Sequence, residues 1–182
     1  MEMLHFRDAD KILRKKKLLT DLTKTCGYLE SVLDGARYKR NLFRLALDEM
    51  GWLPEKLEDL RFLDGRRYEY KGVKGEIAVE GSFSVYEYIL EGIFRLQIGF
   101  DKGMIQAGVL MLTSLRGENS KYGTSTELAK TEVEMLYPTI NLPVTIALLD
   151  IGKPMIIDDE GGGESNGLPV PPDDQDDFDE NP

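Results

Sequence analysis

The stretch Gly75-Glu76-Ile77-Ala78-Val79-Glu80-Gly81-Ser82-Phe83-Ser84 decides the fold. Ile77 and Val79 alternate with Ala78, Glu80 and Ser82, a period of two that makes a strand with its apolar pair turned into a core. Upstream, Lys71-Gly72-Val73-Lys74-Gly75 offers two glycines for a turn, and Arg66-Arg67-Tyr68-Glu69-Tyr70 reads as the partner strand. A hairpin of roughly Arg61–Tyr70 and Glu76–Phe83 follows. If it brings Glu69 or Asp64 near Glu80, two carboxylates share a pocket of the kind that holds Mg2+.

The 182 residues suit one domain with an adequate core, and 41% hydrophobic with 31% charged residues suits an ordinary soluble globule. No apolar run approaches the roughly 18 residues of a membrane span, and the first ten residues lack the basic start and apolar centre of a secretory signal. The single cysteine, Cys26, leaves no internal disulfide and fits a reducing, cytoplasmic setting. With His5 the sole histidine, sites built on several histidines are excluded, so any metal must be held by oxygen.

The net charge of -10 is unevenly placed. Ten of the 33 acids lie between Asp158 and Pro182, where there is no Lys or Arg, so residues 1–157 balance 23 acids against 23 bases. Residues 158–182 are dominated by Gly, Pro, Asp and Glu, cannot bury enough surface to offset ordering, and are expected to form a disordered acidic tail. The remaining 1–157 are expected to form a single α/β domain with a mixed central sheet flanked by helices.

Within that domain, Lys11 and Arg14 to Lys17 surround Ile12 and Leu13 and read as the solvated face of a helix. From Thr20 to Met50 apolar residues recur at helical spacing, with Gly27 and Gly35 as interruptions, which predicts two helices. Gly51 would cap the second in the left-handed conformation, with Trp52 packing back. After the hairpin, Val85, Ile89, Ile93, Leu96 and Phe100 mark an amphipathic helix stopped by Asp101-Lys102-Gly103. Met104–Leu112 reads as a buried strand of parallel type, Glu127–Leu136 as a helix, and Leu142–Leu149 as the last strand.

Hydrolysis of a phosphodiester with Mg2+ needs carboxylates for the metal, a water in line with the phosphate, and a group that orients that water. Glu80 and Ser82, two apart, share a strand face, although serine can hold water without supplying charge. The run A-V-E-G-S-F, the helix after it, the strand M-I-Q-A-G-V-L-M-L-T-S, the segment K-Y-G-T-S-T-E-L and then L-P-V-T-I-A-L-L-D-I-G resemble, in this order, the BglII-like type II restriction endonucleases. The resemblance spans about Asn41 to Gly152, with Y-G-x-S-T as its most specific piece. It implies a PD-(D/E)XK nuclease fold, Mg2+, double-stranded DNA as partner and a homodimer reading a short palindrome within a restriction-modification system.

Carried over by position, the resemblance makes Glu80 the strand carboxylate, Ser82 the third catalytic residue, and Glu69 the first metal ligand, with Asp64 as its alternative. It sets Ser84, Lys121, Tyr122, Thr124, Ser125 and Thr126 against DNA, where hydroxyls and a lysine can bond phosphates or base edges. Ser125 or Thr126 can equally cap the helix starting at Glu127. The serine at the third position, the balanced body and the acidic tail point to two alternatives. One is a catalytically impaired DNA-binding relative; the other is a protein-interaction module working through its tail.

Overall fold

The computed structural model describes residues 1–35, 39–53, 60–63, 65, 68–82, 89–114 and 123–152, with the backbone alone at 39, 40 and 82. Among the described residues ten elements run β1 (Glu2–Phe6), α1 (Ala9–Lys15), α2 (Leu19–Leu33), α3 (Lys39–Glu49), β2 (Gly72–Lys74), β3 (Ile77–Ser82), α4 (Ile89–Asp101), β4 (Ala107–Thr113), α5 (Thr126–Met135) and β5 (Val144–Leu149). The five strands form one mixed sheet in the order β1-β5-β4-β3-β2. β3, β4 and β5 are parallel, whereas β1 and β2 run antiparallel along the edges.

Parallel neighbours need crossovers, and α4 and α5 supply them. Helices on both faces bury the central strands completely: every residue of β4 and β5 is buried. Alternation along the strands sorts them into two cores. Ile77, Val79, Val109, Met111, Ala147 and Leu149 face the side packed by α1, α2 and α3. Ala78, Leu110, Leu112, Val144, Ile146 and Leu148 face the side packed by α4 and α5. Glu80 follows Ala78 by two residues and therefore lies on the α4 side, in register with Leu110 of β4.

The ends of the elements follow from local chemistry. α3 closes in a Schellman motif: Gly51, at φ 71°, donates to the Asp48 carbonyl and Trp52 N–H to the Leu47 carbonyl. Trp52 then returns to the core as expected, fully buried, and its indole N–H donates to Thr25 Oγ1 at 2.7 Å. Gly103, at φ 68°, ends α4 in the same way. The helices expected around Ile89–Phe100 and Glu127–Leu136 and the strands near Met104–Leu112 and Leu142–Leu149 are all present.

Four expectations change. The hairpin is β2 with β3, closed by Gly75-Glu76 with φ of 54° and 64°, the two positive values of a type I′ turn. Among its described residues, the Arg61–Tyr70 segment contributes an isolated bridge, Arg61 with Glu69. Gly72 belongs to the strand because a Cβ there would sit 2.7 Å from the Trp52 carbonyl oxygen. Gly27 lies inside an unbroken α2, a placement that costs a helix about 1 kcal/mol without ending it. Residues 2–6 form β1, which was not anticipated, and the basic run beyond it lies in and just after the short α1. Among the described residues no helix is long and apolar enough to cross a membrane. Val85 and the acidic segment 158–182 lie outside the described residues.

Candidate active site

The period-two alternation that builds β3 delivers Glu80 into the interior beneath α4, where it is 2% exposed. Its Oε2 lies 3.8 Å from Nη1 of Arg95, an ion pair too long to be a hydrogen bond. Its Oε1 is buried and has no hydrogen-bond partner among the described residues. Burial pushes the carboxyl from 4.5 up to about 7; Lys71 opposes that rise most, then Arg95, while Glu91 adds to it and the Gly81 N–H opposes it. Desolvation thus outweighs two nearby cations.

Those cations come from different elements. Lys71 precedes β2, and its backbone N–H donates to the Val79 carbonyl at 3.0 Å, which ties it to the β3 strand that carries Glu80. Arg95 stands on α4, where its Nη2 also pairs with Glu91 one turn earlier and its guanidinium lies 5.9 Å from the centre of the Tyr68 ring. The Tyr70 hydroxyl donates to the Arg95 carbonyl at 3.1 Å, and its ring stacks on Phe62 at 5.0 Å. Tyr70 is fully buried, and burial with the charge of Glu80 holds its hydroxyl protonated far above the usual range. Gly99 makes the space: a Cβ there would fall 1.8 Å from Tyr70 Oη.

Glu69 is committed elsewhere. Its Oε2 is 2.6 Å from Arg44 Nη2 of α3, and its Oε1 is 3.9 Å from Arg61 Nε. α3 and α4 pack on opposite sides of the sheet, so Arg44, which engages Glu69, and Arg95, which engages Glu80, come from opposite layers. Among the described residues, Glu91 is the acid whose charge acts on Glu80. Asp64 lies outside the described residues, as does the side chain of Ser82.

A divalent ion of the Mg2+ type takes several oxygens in near-octahedral array. The free Oε1 of Glu80 is one suitable donor. Around it, however, the described residues bring two cations rather than a second committed acid, and no three Asp, Glu, His or Cys side chains among them converge on a metal-sized site. The donor set of the described residues does not fit a divalent ion.

The loop before α5 does structural duty at each described position. Gly123, at φ 92°, lets the chain run against the end of β4, since a Cβ would lie 2.3 Å from the Ser114 carbonyl oxygen. Thr124 is 2% exposed and bridges to Ser114, its N–H donating to the Thr113 carbonyl. Ser125 caps α5, its Oγ accepting from Leu128 N–H at 3.1 Å. Thr126 donates to Glu2 Oε2 at 2.6 Å, tying α5 to β1. Ser84, Lys121 and Tyr122 lie outside the described residues. Cys26 is no nucleophile: it is fully buried in α2, and burial pushes its thiol up to about 12.

Lys71, Glu91 and Arg95 were missed by the sequence reading. The signals existed: Glu91 and Arg95 stand four apart on the amphipathic helix that follows the Glu80 strand, and Lys71 sits just ahead of the hairpin.

No protein-family profile matches the sequence, and no curated protein does. Solved structures do. The restriction endonuclease BglII complexed with a DNA 16-mer superposes with a TM-score of 0.56 at 17% identity, over 82% of this chain and 76% of that one. Free BglII gives 0.51 at 17% identity, over 82% of this chain and 79% of the other. The mixed sheet with its two helical layers is therefore the restriction-endonuclease fold seen in BglII.

Proposed function

We propose that the chain engages double-stranded DNA on its restriction-endonuclease fold and cleaves it poorly or not at all. The fold likeness to an endonuclease held on a DNA duplex supports the first half. The charge arrangement at Glu80 supports the second: one buried carboxylate paired with Arg95 and near Lys71, with Glu91, itself paired with Arg95, as the other acid among the described residues. Glu80 keeps the position of a catalytic strand carboxylate. Its ionised form is disfavoured by burial, and Glu69 is held by Arg44. DNA affinity of such a protein would come from phosphate contacts and fall steeply with salt.

A second reading is favoured by one observation, the buried Glu80 Oε1 that lacks a hydrogen-bond partner. In it the chain is a type II, Mg2+-dependent endonuclease of a restriction-modification system, working as a homodimer. Glu80 with Glu69 or Asp64 would hold the ion, Ser82 would orient water, and the segment from Lys121 to Thr126, with Ser84, would grip the duplex. Supercoiled plasmid incubated with Mg2+ or Mn2+, together with a gel shift at low salt, separates the two. Binding without cutting in either metal is the expected result. Cutting that disappears in Glu80→Ala would establish the second reading, and failure to shift any duplex at low salt would remove both.

A further inference from the structure

We infer that Arg44 and Arg61 form a clamp for a backbone phosphate of DNA, with Glu69 between them as a built-in competitor that the duplex displaces. The inference rests on the DNA-binding half of the reading above and is independent of what Glu80 does with a metal. Arg44 comes from α3, while Arg61 and Glu69 pair in an isolated antiparallel bridge just ahead of β2. Glu69 Oε2 is 2.6 Å from Arg44 Nη2 and its Oε1 is 3.9 Å from Arg61 Nε, so one carboxylate divides its oxygens between two guanidinium groups. Among the described residues neither arginine pairs with another acid.

Exposure and charge both favour exchange at this point. The arginine side chains are 47% and 55% exposed and Glu69 only 21%, so an arriving anion meets the cations first. Two cations against one acid leave a positive charge over. A guanidinium presents its fork to the free oxygens of a phosphodiester as it does to those of a carboxylate. Solvated ion pairs of this kind contribute little to stability, so trading the carboxylate for a phosphate costs the fold little. α3 also sets the clamp against the strand that bears Glu80: a Cβ on Gly81 would lie 2.9 Å from Cζ of Phe43, the residue before Arg44. A backbone running past that end of β3 comes to Arg44 on the α3 side.

The test is a gel shift of the full chain in EDTA, over a series of salt concentrations, on two duplexes of unrelated sequence. Wild type, Arg44→Gln, Arg61→Gln, Glu69→Gln and Glu69→Gln/Arg44→Gln are compared, with folding checked by circular dichroism. Each arginine variant should weaken both duplexes alike and lower the slope of log affinity against log salt by about one. Glu69→Gln should bind both duplexes about fivefold tighter, the scale of one like-charge contact removed in a solvated setting. The double variant should lose most of that gain, because the acid and the arginine act on the same phosphate. Arginine variants that keep the wild-type affinity and slope would overturn the inference, as would a Glu69→Gln that binds no better than wild type. A change confined to one duplex would mark base readout and overturn it too. Should Arg44→Gln fail to fold, Arg61→Gln, whose contact with Glu69 is the looser one, is read by the same criterion. If wild type shifts neither duplex at low salt, the DNA-binding reading fails and the clamp with it; if wild type shifts both and the variants match it, the clamp alone fails.

Discussion

Replacing Glu80 by Gln measures directly what the buried carboxylate costs the fold. The amide has the shape of the protonated acid, so the comparison isolates ionisation. Folding moves the carboxyl from 4.5 to about 7, so the charged form is disfavoured in the native protein by roughly 3 kcal/mol. The attraction of Lys71 and Arg95 is already contained in that figure, because both act on the same equilibrium.

The sign follows from proton counting. Below pH 4.5 both folded and unfolded chains hold the proton, and the Gln variant should match wild type. Between 4.5 and about 7 the folded chain keeps a proton that the unfolded chain has lost, so wild-type stability declines with rising pH relative to the variant. Above about 7 both are ionised and the whole difference of roughly 3 kcal/mol favours Gln, a Tm gain on the order of 6–12 °C. Urea unfolding of both proteins at pH 5 and pH 8, followed by circular dichroism, is the assay. The tail carboxylates contribute equally to each and drop out. A Gln variant less stable than wild type at pH 8 would mean that the cations outweigh burial. A difference that does not change with pH would mean that Glu80 does not titrate in this window. Either refutes the account of the site.

Three further outcomes are expected. Gly99→Ala should destabilise the fold by about 1–3 kcal/mol, against the usual benefit of Ala in a helix, because its Cβ would meet Tyr70 Oη at 1.8 Å. Urea unfolding should show part of that loss recovered in Gly99→Ala/Tyr70→Phe. Gln97→Ala should cost roughly 2–4 kcal/mol by the same measurement, since Gln97 Oε1 accepts from the N–H groups of Asn141 and Leu142 at 2.9 and 3.0 Å and its Nε2 donates to Asp101 and Asn141. Duplex binding, measured by gel shift, should be the same in EDTA and in Ca2+; a tenfold gain with Ca2+ would show that a metal joins the site.

Local periodicity carried most of the architecture because β3, α4, β4, α5 and β5 each state their own period within a few residues. β1 escaped because its evidence is remote. Leu4 and Phe6 pair with β5, some 140 residues away, and are buried in the core on the α5 side, while the neighbouring lysines suggested a solvated helix. The hairpin boundary slipped because Tyr68-Glu69-Tyr70 alternates like a strand, while the true strand begins at a glycine whose place is set by Trp52. At the site, spacing identified Glu80 but not its company. Lys71 is a hairpin neighbour that depends on the register, and Arg95 depends on which face of α4 meets the sheet. The Y-G-x-S-T segment was legible as a cap at Ser125, whereas the burial of Thr124 and the Thr126–Glu2 bond require the folded β1 edge.

The charge at the site also bears on how DNA could approach it. An acidic pocket without a metal repels phosphate, so a nuclease fold that keeps its carboxylates relies on the ion to admit the backbone. Here Glu80 and Glu91 are matched by Lys71 and Arg95, and protonation of Glu80 below about pH 7 would leave a surplus positive charge. On the proposed reading, a phosphodiester brought to this part of the fold would meet no net negative charge even with no divalent ion present. On the proposed reading, the cations that would ease the approach of a phosphodiester would also oppose a divalent ion, so metal-free binding and poor cleavage would follow from one arrangement of charge.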